Sequence, residues 1–503
     1  MTANVITPAI RLSETSAVTT APPLSRELAR LASDETLHRV DGIADRLAPD
    51  RFRYTSAVGS VVWRWSRTTG THIEQSTGVD LLALDVTDRF VGLESERDAQ
   101  KRLPNELTTH GRPYAYESLA QLFDDPKTPD TLLVPAAGFP QHANPGNHGS
   151  LTTVQSRALF LAAGRGVRAE GWIDAHARVI DVAPTVLALL GLPSSDAHDG
   201  RAIDSIRNGE SARHVVAVLL DGANTNLVAD AVEHGELPTL AALLGTGTGL
   251  RHGMVSSFPT VTLPNHMSAF TGVHPGRHGI INNEFLGPDG SHVNLLDFRQ
   301  MVNTCSWLSD RVETLHESIH RHRPDNFTSS IYEYADRGAS WSTFDEFRSR
   351  RRPFTATVAD GERTASAEAY ALNEAYRFMS RVDESAVGTA IEQWGGVSRT
   401  GHPLPTLQLL TLNLTDAAGH ASGPLGNLAR ASLVDSDARL ARLLDAIDAA
   451  GAASETAVIV LSDHGMEQCD LAGLEFPCAD LSEWLDRANR RDVGDALLYP
   501  KSA

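Results

Sequence analysis

The chain has 503 residues, of which 41% are apolar and 21% are charged, and its formal net charge is −19. This composition is typical of a globular protein with enough apolar residues to bury a large core. The acidic balance argues against a nucleic-acid polymer or an anionic membrane as partner, whereas a small phosphorylated substrate can still bind where metal ions set the local field.

The N-terminal segment shows no targeting signal. Residues 1–30 are rich in Thr, Ser, Ala and Pro, which predicts a flexible segment. The segment lacks a basic start and a long apolar run, and no later run reaches the about 20 apolar residues that span a bilayer. We therefore expect a cytoplasmic protein that has no membrane partner.

The cysteines are too few and too scattered for a structural role. Cys305, Cys469 and Cys478 are an odd number and form no CxxC pair, so they support neither a disulfide framework nor a cysteine zinc site. Cys469 and Cys478 could pair with each other, but free thiols are expected in a cytoplasmic protein.

Residues 35–208 have the mixed pattern of an α/β region. The predicted strands are residues 56–65, residues 78–86, the run before the loop GNHGS, and residues 157–163. A helix is predicted over residues 116–125. A second, over residues 181–191, ends at Gly191 with a proline shortly after it, as helices often do.

Three later segments each end a buried-strand pattern with side chains that bind metal ions well. They are HVVAVLLDG ending with Asp221, LQLLTLNLTDAAGH with Asp416 and His420, and TAVIVLSDHGM with Asp463 and His464. Ligands in open α/β sheets gather beyond the C-terminal ends of the strands. We therefore expect these five side chains to lie close together.

The segment FPTVTLPNHMSAFTGVHPGRHGI combines Thr262, Pro264 and Asn265 in a turn that leads into a helix. Pro264 suits the first helical turn, so Thr262 should lie at the helix N-terminus, where backbone dipoles favour a phosphate group. A threonine at this place is more often a simple N-cap. For catalysis, direct metal coordination is the expected way to activate its hydroxyl, because no histidine base stands in a triad pattern with it.

Between about residues 284 and 404 the motifs stop, and we interpret this stretch as a cap or insertion. It is predicted to contain helices over residues 308–322 and 365–382 and a strand over 327–335. The aromatic residues Tyr332, Tyr334, Trp341 and Phe344 could stack on a base, but core packing is the favoured interpretation. Beyond the insertion, leucines at helical spacing predict a helix over residues 428–451.

The order of these motifs, Asp221, then TxPN, then DxxGH, then SDHG, resembles the alkaline phosphatase superfamily and most closely its type I phosphodiesterase/nucleotide pyrophosphatase branch. The resemblance implies an α/β fold with a mostly parallel central sheet, helices on both faces and an inserted cap region. It also implies two divalent metal ions, with Zn²⁺ favoured, beside a threonine nucleophile. By this resemblance, one ion is held by Asp221, Asp463 and His464 beside Thr262, and the other by Asp416, His420 and one further histidine.

In the family that further histidine follows SDHG, but residues 467–503 contain no histidine. Residues 131–202 instead resemble the family's C-terminal end, with a strand, an HG loop, a second strand, a helix and a closing DGR segment. We therefore expect a circularly permuted chain in which His148 of GNHGS supplies the missing ligand. Permutation is tolerated when the old termini lie close together and the new ones fall in an exposed loop.

This interpretation divides the chain into a permuted C-terminal half, residues 31–208, and an N-terminal half, residues 209–503. The alternative is that residues 1–208 are a separate or degenerate domain. The second ion would then have a different third ligand, such as His142 or His402.

The resemblance implies a phosphodiesterase/nucleotide pyrophosphatase-type hydrolase that acts through a phospho-threonine intermediate. Thr262 would attack phosphorus, and Asn265 would donate its amide N–H to a phosphoryl oxygen. A metal-binding pseudoenzyme is the alternative of a different class. The sequence does not indicate an oligomeric state.

The scarcity of lysine bears on the expected substrate, a small phosphodiester or nucleotide. Lysine occurs only at Lys101, Lys127 and Lys501, away from the motifs, which favours the single charge of a diester. Arg277 lies close to Thr262 in the sequence. A phosphomonoester or a phosphonate is therefore the alternative substrate.

Overall fold

The computed structural model describes residues 40–84, 90–100, 108, 110–138, 144–349, 373–469, 490–494 and 496–500. The strands in chain order are β1 (Val40–Ala48), β2 (Arg51–Thr55), β3 (Gly59–Ser66), β4 (Gly70–Gly78), β5 (Thr131–Pro135), β6 (Gly146–Asn147), β7 (Arg157–Ala158), β8 (Phe160–Gly164), β9 (Gly171–Ile173), β10 (Ala177–Arg178), β11 (His214–Leu220), β12 (Gly247–Leu250), β13 (Met254–Val255), β14 (Glu284–Leu286), β15 (His292–Asn294), β16 (Thr328–Ile331), β17 (Trp341–Ser342), β18 (Leu407–Leu412), β19 (Thr456–Leu461), β20 (Glu467–Gln468), β21 (Arg490–Val493) and β22 (Leu497–Pro500). The helices are α1 (Leu93–Gln100), α2 (Ala115–Leu122), α3 (Thr153–Ser156), α4 (Val182–Leu189), α5 (Thr225–Glu233), α6 (Pro238–Thr246), α7 (Thr262–Thr271), α8 (Pro275–His278), α9 (Phe298–Met301), α10 (Leu315–His322), α11 (Thr343–Arg348), α12 (Glu374–Gln393), α13 (Val397–Thr400), α14 (Leu414–Ser422) and α15 (Asn427–Ala449).

Both halves of the chain contribute to one eight-stranded sheet with the order β17-β16-β18-β11-β19-β8-β12-β9. The five strands from β17 to β19 pair in parallel. Strand β8 runs antiparallel to β19 and β12, while β12 and β9 pair in parallel. The α/β class with a mostly parallel central sheet is therefore confirmed.

The apolar sequence of β11 explains why the sheet is covered on both faces. Its alternating side chains enter two different clusters, with Val215, Ala217 and Leu219 on one face and Val216, Val218 and Leu220 on the other. Helices α4, α7 and α10 supply apolar residues to the first cluster, and α5, α6, α12 and α15 to the second. Parallel sheets are typically buried in this way, and helices lie on both faces as expected.

A second sheet connects the two ends of the described chain. It has seven strands in the order β21-β22-β5-β1-β2-β3-β4, and its pairs are antiparallel. Leu132 of β5 pairs with Ala44 of β1 on one side and with Leu497 of β22 on the other. The last strand of the chain therefore packs directly against strands of the N-terminal region.

Several predicted elements agree with the structure. Helix α7 begins at Thr262, and α4 falls within the predicted range 181–191. Helices α15 and α2 each begin one residue before the predicted ranges 428–451 and 116–125, and strand β3 lies largely within the predicted strand 56–65.

Two predictions fail for local reasons. Gly78 ends β4, and residues 79–84 contain a 3₁₀ turn at Leu81–Ala83 instead of the predicted strand, because the Asp80 side chain accepts the N–H of Leu82 and competes with strand pairing. Residues 85 and 86 lie outside the described residues. The helix predicted over 308–322 starts only at Leu315. There Thr314 and Glu317 form a reciprocal capping box that fixes the helix start.

The described part of the region 284–404 contributes strands to the sheets of the fold. Strands β16 and β17 extend the central sheet, and β14 pairs with β15 in a two-stranded sheet. Tyr334 and Phe344 are buried with their ring centroids 5.4 Å apart, which agrees with core packing rather than base stacking. Residues 350–372, with part of the predicted helix 365–382, lie outside the described residues, as do residues 1–30.

The described residues contain no candidate membrane-spanning helix and two free cysteine thiols. None of the helices in the described ranges is long and apolar enough to cross a membrane. Cys305 and Cys469 are free thiols, and Cys478 lies outside the described residues.

Candidate functional site

The expected ligands meet at one end of the central sheet. Asp221 follows β11, Asp463 and His464 follow β19, and Asp416 and His420 lie on α14 after β18. Strand β11 lies between β18 and β19, and all three run parallel, so their C-terminal ends face the same edge. This is the edge at which open α/β sheets bind ligands.

One group of side chains contains Asp221, Asp463 and His464, whose potential ligand atoms all lie within 4.8 Å of one another. His464 Nε2 is 3.2 Å from Asp463 Oδ2 and 3.7 Å from Asp221 Oδ1. Thr262 Oγ1 is 3.5 Å from the same nitrogen. The structure thus brings together the four residues expected around the first ion.

A second group contains His148, Asp416 and His420, again within 4.8 Å of one another. His148 Nε2 lies 3.2 Å from His420 Nε2 and 3.5 Å from Asp416 Oδ1. The rings of His148 and His464 stack with centroids 3.8 Å apart, so the two groups are contiguous. The histidine from the front of the chain therefore lies beside the carboxylates of the rear half.

His402, one of the alternative third ligands, is not in this position. The His402 ring stacks on Phe327, 4.7 Å away, and Phe327 immediately precedes the N-terminal end of β16. That is the opposite edge of the parallel strands. His142 lies outside the described residues.

Each of the three imidazoles is oriented by a backbone carbonyl. Nδ1 of His148 donates to Thr260 O at 3.0 Å, Nδ1 of His420 to Gly146 O at 2.9 Å, and Nδ1 of His464 to Gly465 O at 2.9 Å. A carbonyl can only accept, so each Nδ1 carries a hydrogen, and the neutral form of each ring presents a lone pair at Nε2. This is the form in which histidine binds metal ions.

The carboxylates carry buried oxygens that need a positive partner. Asp221 Oδ1, Asp416 Oδ1 and Asp463 Oδ2 have no hydrogen-bond partner among the described residues. A buried acceptor left without a partner costs about 1–3 kcal/mol, and more when it is charged. These oxygens and the imidazole nitrogens form a donor set that fits divalent metal ions such as Zn²⁺.

Burial and mutual repulsion shift the ionisation of these groups in the protein alone. Burial, reinforced by the negative charges of Asp463 and Asp416, raises the pKa of Asp221 well above its usual value. Burial also raises the pKa of Asp463 and lowers the pKa of His464 to about 4. The folded site without a cation therefore disfavours the ionised forms of Asp221 and Asp463.

Two glycines allow the close approach of the segments that carry the ligands. Gly222 has φ +61°, and a Cβ atom there would lie 2.9 Å from Asp416 Oδ1. A Cβ atom at Gly146 would lie 2.4 Å from the carbonyl oxygen of Gly419. Any side chain at either position would separate α14 from its neighbours.

Thr262 is not an N-cap. The cap position of α7 is Val261, and Thr262 is the first helical residue, 8% exposed. The N–H of Leu263 is satisfied by Asn283 Oδ1 at 2.9 Å. The Thr262 hydroxyl can therefore face His464 and the carboxylates.

The expected substrate contact of Asn265 is wrong. Its side chain is fully buried, and its amide nitrogen donates to the carbonyls of Ser257, Pro259 and Val261 at 3.2, 3.0 and 2.9 Å. Its oxygen accepts the N–H of Ser257 at 2.8 Å. Both amide hydrogens are thus used to hold the loop before Thr262, and neither is available to a phosphoryl oxygen.

Sequence reasoning missed two groups beside the site. Asn283 places a carboxamide next to the N-terminus of α7, where its oxygen caps Leu263. His266 and Glu333 form a fully buried pair at 2.7 Å, and His266 Nε2 lies 3.7 Å from Asp463 Oδ2. Only the adjacent asparagines at 282 and 283 and the histidine after TLPN mark these places in the sequence, and neither pattern is specific.

Comparison with known proteins gives a family for the rear half of the chain. A family model described as type I phosphodiesterase / nucleotide pyrophosphatase matches residues 215–501. Ectonucleotide pyrophosphatase/phosphodiesterase family member 1 from Mus musculus is 26% identical over 234 residues, which are 46% of this chain and 22% of that protein. An uncharacterized pyrophosphatase/phosphodiesterase from Schizosaccharomyces pombe is 24% identical over 252 residues, 50% of this chain and 44% of its own.

The chain therefore spans less than half of the length of these curated relatives. Among solved structures, murine ectonucleotide pyrophosphatase/phosphodiesterase 5, an inactive variant in complex with AMP, has a TM-score of 0.38 and 18% identity. That match covers 56% of this chain and 63% of the murine chain.

The crowded carboxylates predict how stability responds to charge and to metal. Because the folded pKa of Asp463 is raised, its ionised form destabilises the metal-free fold above that pKa, and the penalty is relieved as the pH falls through it. At neutral pH, Asp463→Asn should therefore raise the melting temperature of the chelator-treated protein. Zn²⁺ at 100 times its Kd should add about 2.7 kcal/mol per site to the wild type and less to the variant.

Thermal unfolding by calorimetry, with and without Zn²⁺, measures both effects. Asp445→Asn on the exposed face of α15 is the matched control and should change neither. An Asp463→Asn protein that is less stable without metal, or that gains as much from Zn²⁺ as the wild type, would contradict the prediction.

Proposed function

The chain belongs to the type I phosphodiesterase/nucleotide pyrophosphatase family, and on that premise we propose that it hydrolyses small phosphodiesters or nucleotide pyrophosphates. The observation that carries the proposal is the convergence of one hydroxyl with unpartnered carboxylate oxygens and imidazole nitrogens. Thr262 Oγ1 lies 3.5 Å from His464 Nε2, within the same cluster. A threonine hydroxyl is a weak nucleophile at neutral pH and needs such surroundings to react.

We propose that the two groups of side chains hold two divalent cations, with Zn²⁺ as the favoured ion. One would be held by Asp221, Asp463, His464 and Thr262, and the other by Asp416, His420 and His148. When bound, the cations supply the positive charge that favours a deprotonated hydroxyl and neutralises phosphoryl oxygens.

The protein residues supply position and orientation. Thr262 Oγ1 would attack phosphorus in line, forming a P–O bond to Thr262 while the alcohol or nucleotide leaves. Its place at the start of α7 would bring the phosphoryl group to the positive end of the helix dipole. Water would then cleave the phospho-threonine from the vacated side, and two in-line steps retain the configuration at phosphorus.

We propose that Asn283, rather than Asn265, donates a hydrogen bond to a phosphoryl oxygen of the substrate. Its oxygen accepts the N–H of Leu263, which orients the carboxamide beside Thr262 and leaves the NH₂ group as a donor. A donor directed at the charge that develops on a phosphoryl oxygen stabilises the transition state.

Two basic side chains considered in the sequence analysis, Arg277 and Lys127, are paired with other groups, which supports a diester rather than a monoester as substrate. Arg277 donates to the Asp199 carboxylate and to the Ala197 carbonyl, both at 2.7 Å. Lys127 pairs with Asp125 at 2.8 Å. Both cations are thus engaged elsewhere and are poorly placed to neutralise the second charge of a phosphomonoester.

Removing the nucleophile tests the proposed reaction. Thr262→Ala should lower hydrolysis of bis-p-nitrophenyl phosphate by at least about 10³-fold while the protein stays folded, because the hydroxyl that forms the intermediate is gone. Release of p-nitrophenol by the Zn²⁺-loaded protein measures the rate. Thr271→Ala at the other end of α7 is the control and should keep the wild-type rate.

Undiminished turnover by Thr262→Ala would show that the nucleophile is wrong. Faster cleavage of p-nitrophenyl phosphate than of the diester would favour the phosphomonoesterase alternative. Two bound metal ions with no turnover of either ester would favour the metal-binding pseudoenzyme.

The two asparagines should behave differently on substitution. Asn283→Asp keeps the oxygen that caps Leu263 but removes the NH₂ donor, so kcat for the diester should fall by about 10²- to 10³-fold with little change in unfolding temperature. Asn265→Asp loses bonds to three loop carbonyls and should lower the unfolding temperature markedly. Equal kcat in Asn283→Asp and wild type would remove Asn283 from the proposed site.

We also propose that the chain is a circular permutation of the family's usual order. The family match begins at residue 215, yet β8 from the preceding part lies between β19 and β12 in the central sheet. His148 from the same part completes the second group. Strands β1 and β22, the first and last strands of the described residues, flank β5 in one sheet, which is compatible with a linker between the two halves in the reversed order.

Reversing the order tests this proposal. A chain that runs from residue 209 to 503, then through a flexible linker into residues 31–208, should unfold cooperatively and bind the same two metal ions. Residues 209–503 alone lack β8 and His148, so they should not unfold cooperatively. Calorimetry and metal analysis measure both chains. A rear half that folds and binds two ions by itself would instead support a separate N-terminal domain.

A further inference from the structure

Thr260, two residues before the proposed nucleophile, contacts three consecutive residues of the loop that carries His148. Its hydroxyl donates to the carbonyl of Ser150 at 2.8 Å and accepts the N–H of Gly149 at 3.0 Å. Its own carbonyl accepts Nδ1–H of His148 at 3.0 Å. Thr260 is 1% exposed, so these bonds are protected from water.

The loop that carries His148 has little regular structure to fix it. Strand β6 contains only Gly146 and Asn147, and α3 begins at Thr153. Gly149 has φ +117°, a conformation that other residues rarely adopt, and its N–H is the one that Thr260 accepts. The direction of the His148 ring therefore depends on bonds from outside its own loop.

Thr260 is itself held from both sides. The Asn265 amide donates to the carbonyls of Pro259 and Val261, the neighbours of Thr260 in the chain. Ser257 Oγ lies 3.0 Å from His274 Nδ1, which fixes the start of the same loop. The peptide that carries Thr260 is therefore held in place on its way into α7.

We propose that Thr260 is a positioning residue that sets His148 Nε2 toward Asp416 and His420 and ties that orientation to Thr262. Two residues of chain span at most about 7 Å, so a shift of Thr260 cannot leave Thr262 in place. The first part of this inference concerns metal binding alone. Only the coupling to Thr262 rests on the proposed function.

Zn²⁺ affinity of the full chain, measured by competition with a chromophoric chelator, tests the inference without turnover. Thr260→Val keeps the shape of the side chain but loses the hydroxyl, and one of the two ions should bind about 10- to 100-fold more weakly. Thr260→Ser restores the hydroxyl and should bind both ions within about 3-fold of wild type, a rescue expected only if the hydroxyl acts.

A matched control is available on α7. Thr271 is also buried, and its hydroxyl donates to Met267 O at 2.5 Å within the helix. Thr271→Val removes a similar bond away from the His148 loop and should leave both affinities unchanged.

A double-mutant cycle separates action through His148 from a general effect on folding. In a His148→Ala background, Thr260→Val should cause no further loss of affinity for the remaining ion. The inference is overturned if Thr260→Val binds both ions as the wild type does, or if Thr271→Val loses as much. It is also overturned if the loss persists without His148, or if Thr260→Val and Thr260→Ala fail to fold while Thr271→Val folds.

These results are distinguishable from failure of the proposed function. A wild type that binds two Zn²⁺ ions but cleaves neither ester would end the hydrolase proposal and leave the role of Thr260 standing. If the wild type cleaves the diester and Thr260→Val keeps the wild-type Zn²⁺ affinity and rate, the hydrolase proposal stands and the role of Thr260 is overturned.

Discussion

The structure depends on three carboxylates that the central sheet forces together. Asp221, Asp416 and Asp463 follow strands that lie side by side, and each has a buried oxygen without a hydrogen-bond partner in the described chain. Two unit charges 4 Å apart interact by about 4 kcal/mol at an effective dielectric constant of 20. A bound cation would relieve this crowding, and the three imidazoles grouped with the carboxylates fit such a cation. The glycines at 146 and 222 follow from the same constraint, because the segments must approach closely to surround a small ion.

The two halves of the chain orient each other's ligands. His148 from the front half donates to the carbonyl of Thr260 in the rear half, while His420 from the rear half donates to Gly146 in the front half. Strand β8 of the front half also lies in the central sheet between two strands of the rear half, β19 and β12. Ligand groups formed in this way require both halves to be folded together. Contacts between the halves, rather than their order in the sequence, determine this arrangement.

The features that could be predicted from the sequence are those encoded by short local patterns, such as buried strands and the polar residues that follow them. Strands β11, β18 and β19 are continuous apolar runs, and the polar residues directly after them could be placed at one edge from the chain alone. The position of His148 required a different argument, the absence of histidine after residue 466. The fate of Asn265 could not be predicted, because it depends on three carbonyls that the folded loop turns inward. The predicted strand is replaced by a 3₁₀ turn at residues 81–83 because the Asp80 side chain competes locally for a backbone N–H.

The start of α7 shows how a common capping residue can be released for chemistry. A threonine before a helix usually accepts an N–H of the first turn, and its oxygen is then occupied. Here the cap position is taken by Val261, which has no side-chain acceptor, and Asn283 supplies the missing oxygen from a distant turn. Thr262 therefore enters the helix with its hydroxyl facing His464 and the carboxylates. The Asn283 oxygen caps Leu263 in place of Thr262, and its NH₂ group lies on the same carboxamide. One side chain therefore both leaves the Thr262 hydroxyl free of capping and adds a hydrogen-bond donor near it.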